Sequence, residues 1–410
     1  MVKRQWSRRD VLKSAGTGAL GLGIGAAVFD RMDEYIVGTV DGDGTAAAAT
    51  VADAEHGLID LTEHTPMTLV CGVFSEARRE SLRAREDVAF VQRDRTLTYV
   101  SEPGGEGKQV ANGGVLPWGI DRVDADVVHA EGATGDGIDV AVVDSGIDDT
   151  HPDLGGTLAD PGEEKNHRSW VECAGEDCNY PWSDDGGHGT HVAGTIAAGD
   201  DGDGVVGVAP GTTLHALKVC GANGGCRTSA IVEAIRYAAD RGWDLINLSL
   251  GSAQEAPALQ AAGQYALEAG ALPVAAAGNR GRPDSVGYPA AYDEFIAVSA
   301  TDIDDGIADF ASTGPEVDLT APGQDICSAT VGGYDVLAGT SMATPHVTGA
   351  AAQLLADGHS RRAARERLLA TAEDIGAGTD EGGSGLVDVA AALGYDSGDD
   401  GTGDGTSCPP

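Results

Sequence analysis

Five near-continuous apolar runs recur through the middle of this chain: IDVAVVD ending at Asp144, LHALKVC at Cys220, LINLSLG at Gly251, LPVAAAGN at Asn279 and EFIAVSAT at Thr301. A strand that is apolar on both faces belongs inside a sheet covered on both sides, which is the habit of parallel sheets. Between the runs lie THVAGTIAAG, TSAIVEAIRYAADRG and APALQAAGQYALEAG, whose apolar residues recur at helical spacing. The alternation predicts an α/β fold, a doubly wound, mostly parallel sheet over residues 115–393, with its functional site at the carboxyl ends of the strands. A hydrophobic fraction of 41% supplies enough side chains for such a core.

Three polar segments interrupt this pattern: VVDSG around Asp144, GGHGTHVAG around His188 and GTSMATPH around Ser341. A serine hydroxyl is a weak nucleophile at neutral pH; it needs an imidazole to take its proton and a carboxylate to orient that imidazole. Asp144 ends the first apolar run, which predicts a side chain emerging at the top of a central strand. His188 opens a helix running through Ala198. Ser341 begins SMATPHVTGAAAQLLA, a helix whose Pro345 is expected within the first turn, so that backbone N–H groups and the positive end of the helix dipole lie beside the hydroxyl. A zinc site at His188 and His191 is excluded by their spacing of three and by the lack of a glutamate after the first histidine. Met342, beside the candidate nucleophile, is an oxidation liability.

Taken in the order Asp, His, Ser, the three segments resemble the active-site motifs of the subtilisin-like serine proteases, the subtilases. The resemblance runs from about Leu116 to Ala392, and with the acidity described below it is similar to the halolysin-type extracellular proteases of halophilic archaea. It implies a self-processing serine endopeptidase of broad specificity acting on protein and peptide substrates through an acyl-enzyme. It implies Asp144, His188 and Ser341 as the triad and Asn279 as the oxyanion-hole donor. Ser249, Leu250 and Gly251 on one side, with Gly224 and Gly225 on the other, match the two edges between which a substrate is laid as a strand. Ala276, Ala277, Gly278 and Gly287 match the walls of the S1 pocket. Their small size leaves room for a large apolar P1 side chain, and Arg280 at the rim disfavours lysine there. Asp153 and Asp201 match the ligands of a structural calcium ion, with loop carbonyls as further donors. Gly114 stands where a further side-chain ligand is expected, and Asn112 is the available substitute. No organic cofactor is implied.

Charge sets the chain apart. Its 65 acidic residues against 26 basic ones leave a net charge of −39, which speaks against nucleic-acid binding and predicts strong self-repulsion at low salt. Only five of the bases are lysine, a pattern like that of proteins from salt-loving archaea. At the N-terminus, SRRDVLK from Ser7 and the mild Gly/Ala-rich stretch after it match a twin-arginine export signal over residues 1–31, with contact to the membrane only during export. Residues 32–101 read as a small α+β unit: strand EYIVGTV, helix SEARRESLRARED and strand or strands VAFVQRDRTLTYV. It resembles the inhibitory propeptide of subtilases, the protein's own intramolecular partner. A linker at 102–114 would carry the maturation site, with cleavage near Gly113. The product is expected to be an extracellular monomer. Residues 394–410 read as an acidic disordered tail. Of the seven cysteines, Cys71 falls in the propeptide-like unit; Cys173 with Cys178 and Cys220 with Cys226 are near enough to pair, though free thiols stay open, and Cys327 and Cys408 read as unpaired.

Overall fold

The computed structural model describes residues 33–53, 56–99, 102–104, 114–175, 178–396, 405 and 407–409. The export signal at 1–31 and most of the 102–114 linker lie outside the described residues. The chain divides into two units, residues 1–94 and 95–410.

In the first unit, strands β1 (Glu34–Thr39), β2 (Gly57–Asp60), β3 (Thr68–Val73) and β4 (Val88–Arg93) form an antiparallel sheet in the order β2-β3-β1-β4. Tyr35, Val37 and Val70 point from it toward Ala48, Phe74 and Leu82, so the alternation of apolar residues along the strands becomes one buried face. The helix Glu76–Arg83 falls where SEARRES places it. The helix Gly42–Val51 was not foreseen, because glycine at 42 and 44 argues against one. Asp41 caps it by accepting from Gly44 N–H at 2.8 Å. A Cβ at Gly44 would stand 2.7 Å from the Asp87 carbonyl, so close approach accounts for that glycine.

The second unit contains two short strands near its start, β5 (Thr96–Thr98) and β6 (Glu102–Pro103), then β7 (Asp139–Asp144), β8 (Arg168–Ser169), β9 (Thr213–Lys218), β10 (Gly225–Arg227) and β11 (Leu245–Leu248). It continues with β12 (Leu272–Ala276), β13 (Ile296–Thr301), β14 (Leu319–Pro322), β15 (Ile326–Thr330) and β16 (Gly333–Ala338). Seven of these form one parallel sheet in the order β14-β13-β12-β11-β7-β9-β8. All five apolar runs are strands of it, and β7, carrying Asp144, is internal. Val140, Val142, Val274 and Val298 meet Val192, Ile196, Val347 and Ala351 from the helices His188–Ala197 and Thr340–Ala356. The alternate residues Ala141, Val143, Ile246 and Ala275 are fully buried too, so the sheet is covered on both faces as the α/β reading requires.

Three details differ from expectation. Pro345 stands past the first turn of its helix; its missing N–H frees the Ser341 carbonyl, which accepts instead from Ser249 Oγ at 2.8 Å. Cys327 and Cys408 are joined in a disulfide, as are Cys173–Cys178 and Cys220–Cys226. The C-terminal tail is accordingly not disordered at its end: Ser407 and Cys408 are buried, Cys408 against Val115, Val205 and Val336. Acidity and glycine content alone could not foretell a covalent tether.

Candidate active site

Asp144 and His188 are brought together by glycines. Gly187 takes a left-handed φ of +81° and turns the chain into the helix that begins at His188. A Cβ at Gly189 would lie 2.2 Å from the Gly146 carbonyl, so the helix can meet the end of β7 only because that residue is glycine. The outcome is a hydrogen bond of 2.8 Å between His188 Nδ1 and Asp144 Oδ1, with both side chains buried. Asp144 Oδ1 also accepts from the Ser145 N–H at 2.7 Å, and Val219 and Cys220 donate their N–H groups to the Asp144 carbonyl. The carboxylate is thus fixed in direction before any substrate arrives.

Ser341 lies in the first turn of the helix Thr340–Ala356 and is 2% exposed. Its hydroxyl donates to the Ser249 carbonyl at 3.0 Å, while His188 Nε2 has no hydrogen-bond partner among the described residues. The contact between the candidate nucleophile and the candidate base is therefore open in this state; such contacts commonly tighten only in the reacting complex. Asn279 accepts at Oδ1 from Thr340 N–H at 2.9 Å and from Thr340 Oγ1 at 2.7 Å. Those two donors fix the amide's orientation and turn its Nδ2 end away from Thr340.

Ser341, Thr340 and Asn279 share the wall of a cavity of about 170 Å³ with Leu250, Gly251, Ala276, Gly278, Arg280 and Gly287. Of the residues expected to shape S1, Ala277 does not reach it; this alanine is fully buried and hydrogen-bonds Val298 and Gly287 through its backbone. Gly224 and Gly225 lie on the opposite edge, Gly225 opening β10. The Cys220–Cys226 disulfide closes the loop that carries them.

Residues of the chain itself occupy the groove between these edges. β5 pairs antiparallel with β10 in the register Gly225–Thr98, Cys226–Leu97 and Arg227–Thr96. On its other side, Thr98 and Gly251 exchange both backbone hydrogen bonds. Tyr99 then lies flat on the His188 imidazole, ring centroids 4.1 Å apart and planes 16° apart. Beyond it, β6 pairs with β16, Glu102 opposite Ala338, just before the helix that bears Ser341. None of this was visible in the sequence, where RTLTYV reads only as a strand.

Several supporting residues lie beneath the site. His191 donates from Nε2 to the Ile326 carbonyl, 3.0 Å away, and burial pushes its pKa down to about 3. Lys218 is fully buried, and its ammonium donates to the Asp185 carboxylate and the Ser145 carbonyl. Sequence reading passed over it because it sits inside an apolar run.

The two candidate calcium ligands sit differently. Asp153 is buried and accepts from Tyr334 OH and Val205 N–H, each at 2.9 Å; Asp201 is exposed and accepts from Asp203 N–H. Burial first, then the hydrogen bond to Asp153 and the charges of Asp153, Asp201 and Asp203, push the Tyr334 phenol upward. A buried carboxylate that meets only neutral donors among the described residues, beside an acid-rich loop, is a donor set suited to a hard, oxygen-seeking cation.

A parallel α/β sheet whose strand and helix ends gather Asp144, His188, Asn279 and Ser341 defines a class. Residues 135–395 match the model of the subtilase family, and the chain belongs to that family; it is a serine endopeptidase. Among its relatives, the alkaline protease of Alkalihalobacillus alcalophilus is 37% identical over 383 residues, 91% of this chain and 95% of that protein. Subtilisin E of Bacillus subtilis is 40% identical over 368 residues, 88% of this chain and 90% of its own length. The subtilisin of Bacillus pumilus is 42% identical over 283 residues, 68% of this chain and 98% of its own.

Proposed function

We propose that this chain is the precursor of an exported endopeptidase that cuts itself free of its N-terminal segment before acting on other proteins. In the proposed reaction His188 takes the Ser341 proton as Oγ attacks the scissile carbonyl, and Asp144 stabilises the imidazolium. Asn279 Nδ2 and the Ser341 N–H hold the oxyanion. The imidazolium then gives its proton to the leaving amine, and water hydrolyses the acyl-enzyme by the same route.

The observation that carries self-processing is the path of the chain: β5 is held between both substrate edges and β6 is paired beside Ser341. Thr98 serves as P3 and Tyr99 as P2, so counting onward puts the scissile bond between Val100 and Ser101, two residues outside the described set. The maturation site proposed on this count lies upstream of the Gly113 expected from the linker's composition. The test is the intact mass of the secreted protein. Wild type should begin at Ser101, and Ser341→Ala should retain everything upstream; a Ser341→Ala protein cut at the same place would show that another protease matures it.

Export is supported by SRRDVLK and by three disulfides, bonds that persist in oxidising compartments. Replacing Arg8 and Arg9 by lysine should keep the precursor inside the cell, read by comparing the cell and medium fractions. For calcium, Asp153 with Asp201 and carbonyls of the 199–205 loop are the proposed holders; the ion would neutralise the buried carboxylate and brace that loop.

A further inference from the structure

We propose that the subsite for the second residue on the N-terminal side of the cut, P2, is built for an aromatic side chain, and that the enzyme favours substrates with tyrosine or phenylalanine there. The proposal rests on the reading of Thr96–Tyr99 as a strand laid in the substrate groove. Tyr99 fills a slot with three walls. The floor is the His188 ring, parallel to the phenol ring at 4.1 Å. One side is Gly186, where a Cβ would stand 2.8 Å from the Tyr99 hydroxyl, and the other is Gly224, whose Cβ would stand 3.6 Å from the ring.

The glycine at 186 is informative because its backbone does not demand it. Gly224 has a left-handed φ of +77°, but Gly186 is not among the residues with positive φ. A side chain at 186 would therefore be free of backbone strain, and what it would remove is the room that the far end of the phenol uses. Burial first, and then the charges of Asp144, Asp184 and Asp185, push the ionisation of this phenol upward. The same burial and negative charge make the slot hostile to an acidic P2 residue. An aromatic ring gains from the stack and from burial of its faces, and alanine gains neither.

The test uses mature enzyme and a set of peptides of the form Leu-Thr-X-Val with a chromogenic leaving group, X being Tyr, Phe, Leu, Ala or Glu. Tyrosine and phenylalanine should exceed alanine by roughly tenfold in kcat/KM, with leucine between them and glutamate lowest. In Gly186→Asn the tyrosine-to-alanine ratio should fall toward one. Equal rates for tyrosine and alanine, leucine equal to tyrosine, or a ratio unchanged in Gly186→Asn would each overturn the proposal. Failure of the threading shows separately, as a wild-type N-terminus other than Ser101, whereas the peptide series reads the slot alone.

Discussion

Lys218 has no exposed surface, and its partner Asp185 has almost none. Removing one member of a buried pair strands the other charge, which typically costs about 3–5 kcal/mol. Lys218→Met should destabilise the protein by that order in denaturant unfolding at constant high salt, and a loss under about 1 kcal/mol would mean that water reaches Asp185. Asn279→Ala should leave the fold intact and lower turnover by about 10²–10³, a magnitude carried over from a subtilisin's own oxyanion-hole asparagine. Three buried histidines set an acid limit: burial lowers His191 to about 3 and His167 and His346 to about 4, from an unfolded value near 6.5. Between those values the unfolded chain binds more protons than the folded one, so their contribution to stability is full above about 6.5 and is lost as pH falls toward 4. Each contributes a slope approaching about 1.4 kcal/mol per pH unit, visible as a falling melting temperature over that range. At this scale the sequence was legible wherever chemistry is local. Asp144, His188 and Ser341 announce themselves by the glycines around them, whereas the pairing of Lys218 with Asp185 depends on a loop closing over a strand end.

The apolar runs predicted their strands because burial on both faces leaves a one-dimensional trace. The hairpin of β15 and β16 left a weaker one, since it is anchored by a contact made far along the chain. Its β15 residue Cys327 bonds to Cys408, 81 positions later, drawing the end of an acidic, glycine-rich tail against Val115 and Val336. Closing a loop of that size is worth about 4.5 kcal/mol in the chain-entropy model. Replacing Cys327 and Cys408 together by serine should cost up to that amount in unfolding free energy and expose the tail to proteolysis; a variant as stable and resistant as wild type would make the tether incidental. The neighbouring Asp153 offers a second lever on the same corner. Chelation should lower the melting temperature of wild type, and Asp153→Asn should lower it too while making it insensitive to chelator. A wild-type transition indifferent to both calcium and chelator would remove the ion from the account.

A net charge of −39 acts on the whole molecule rather than on any one contact. At 0.1 M salt the screening length is about 10 Å and at 1 M about 3 Å, so carboxylates a few residues apart repel one another strongly in the first case and little in the second. The unfolded chain can spread its charge and the folded one cannot, so dilution of salt should favour unfolding. The acids lie throughout the chain, with 65 against 26 bases, and ion pairs alone cannot neutralise them. Melting temperature and kcat/KM should therefore both rise steadily from 0.1 M to molar KCl. The rise should flatten in a variant in which a dozen exposed aspartates distant from Asp144, Asp153 and Asp185 are changed to asparagine. If instead activity rose with salt while the melting temperature stayed level, the effect would belong to substrate binding rather than to the stability of the fold. If neither moved, the acidity would have no bearing on the fold's stability, and the salt-adapted reading of this sequence would fall.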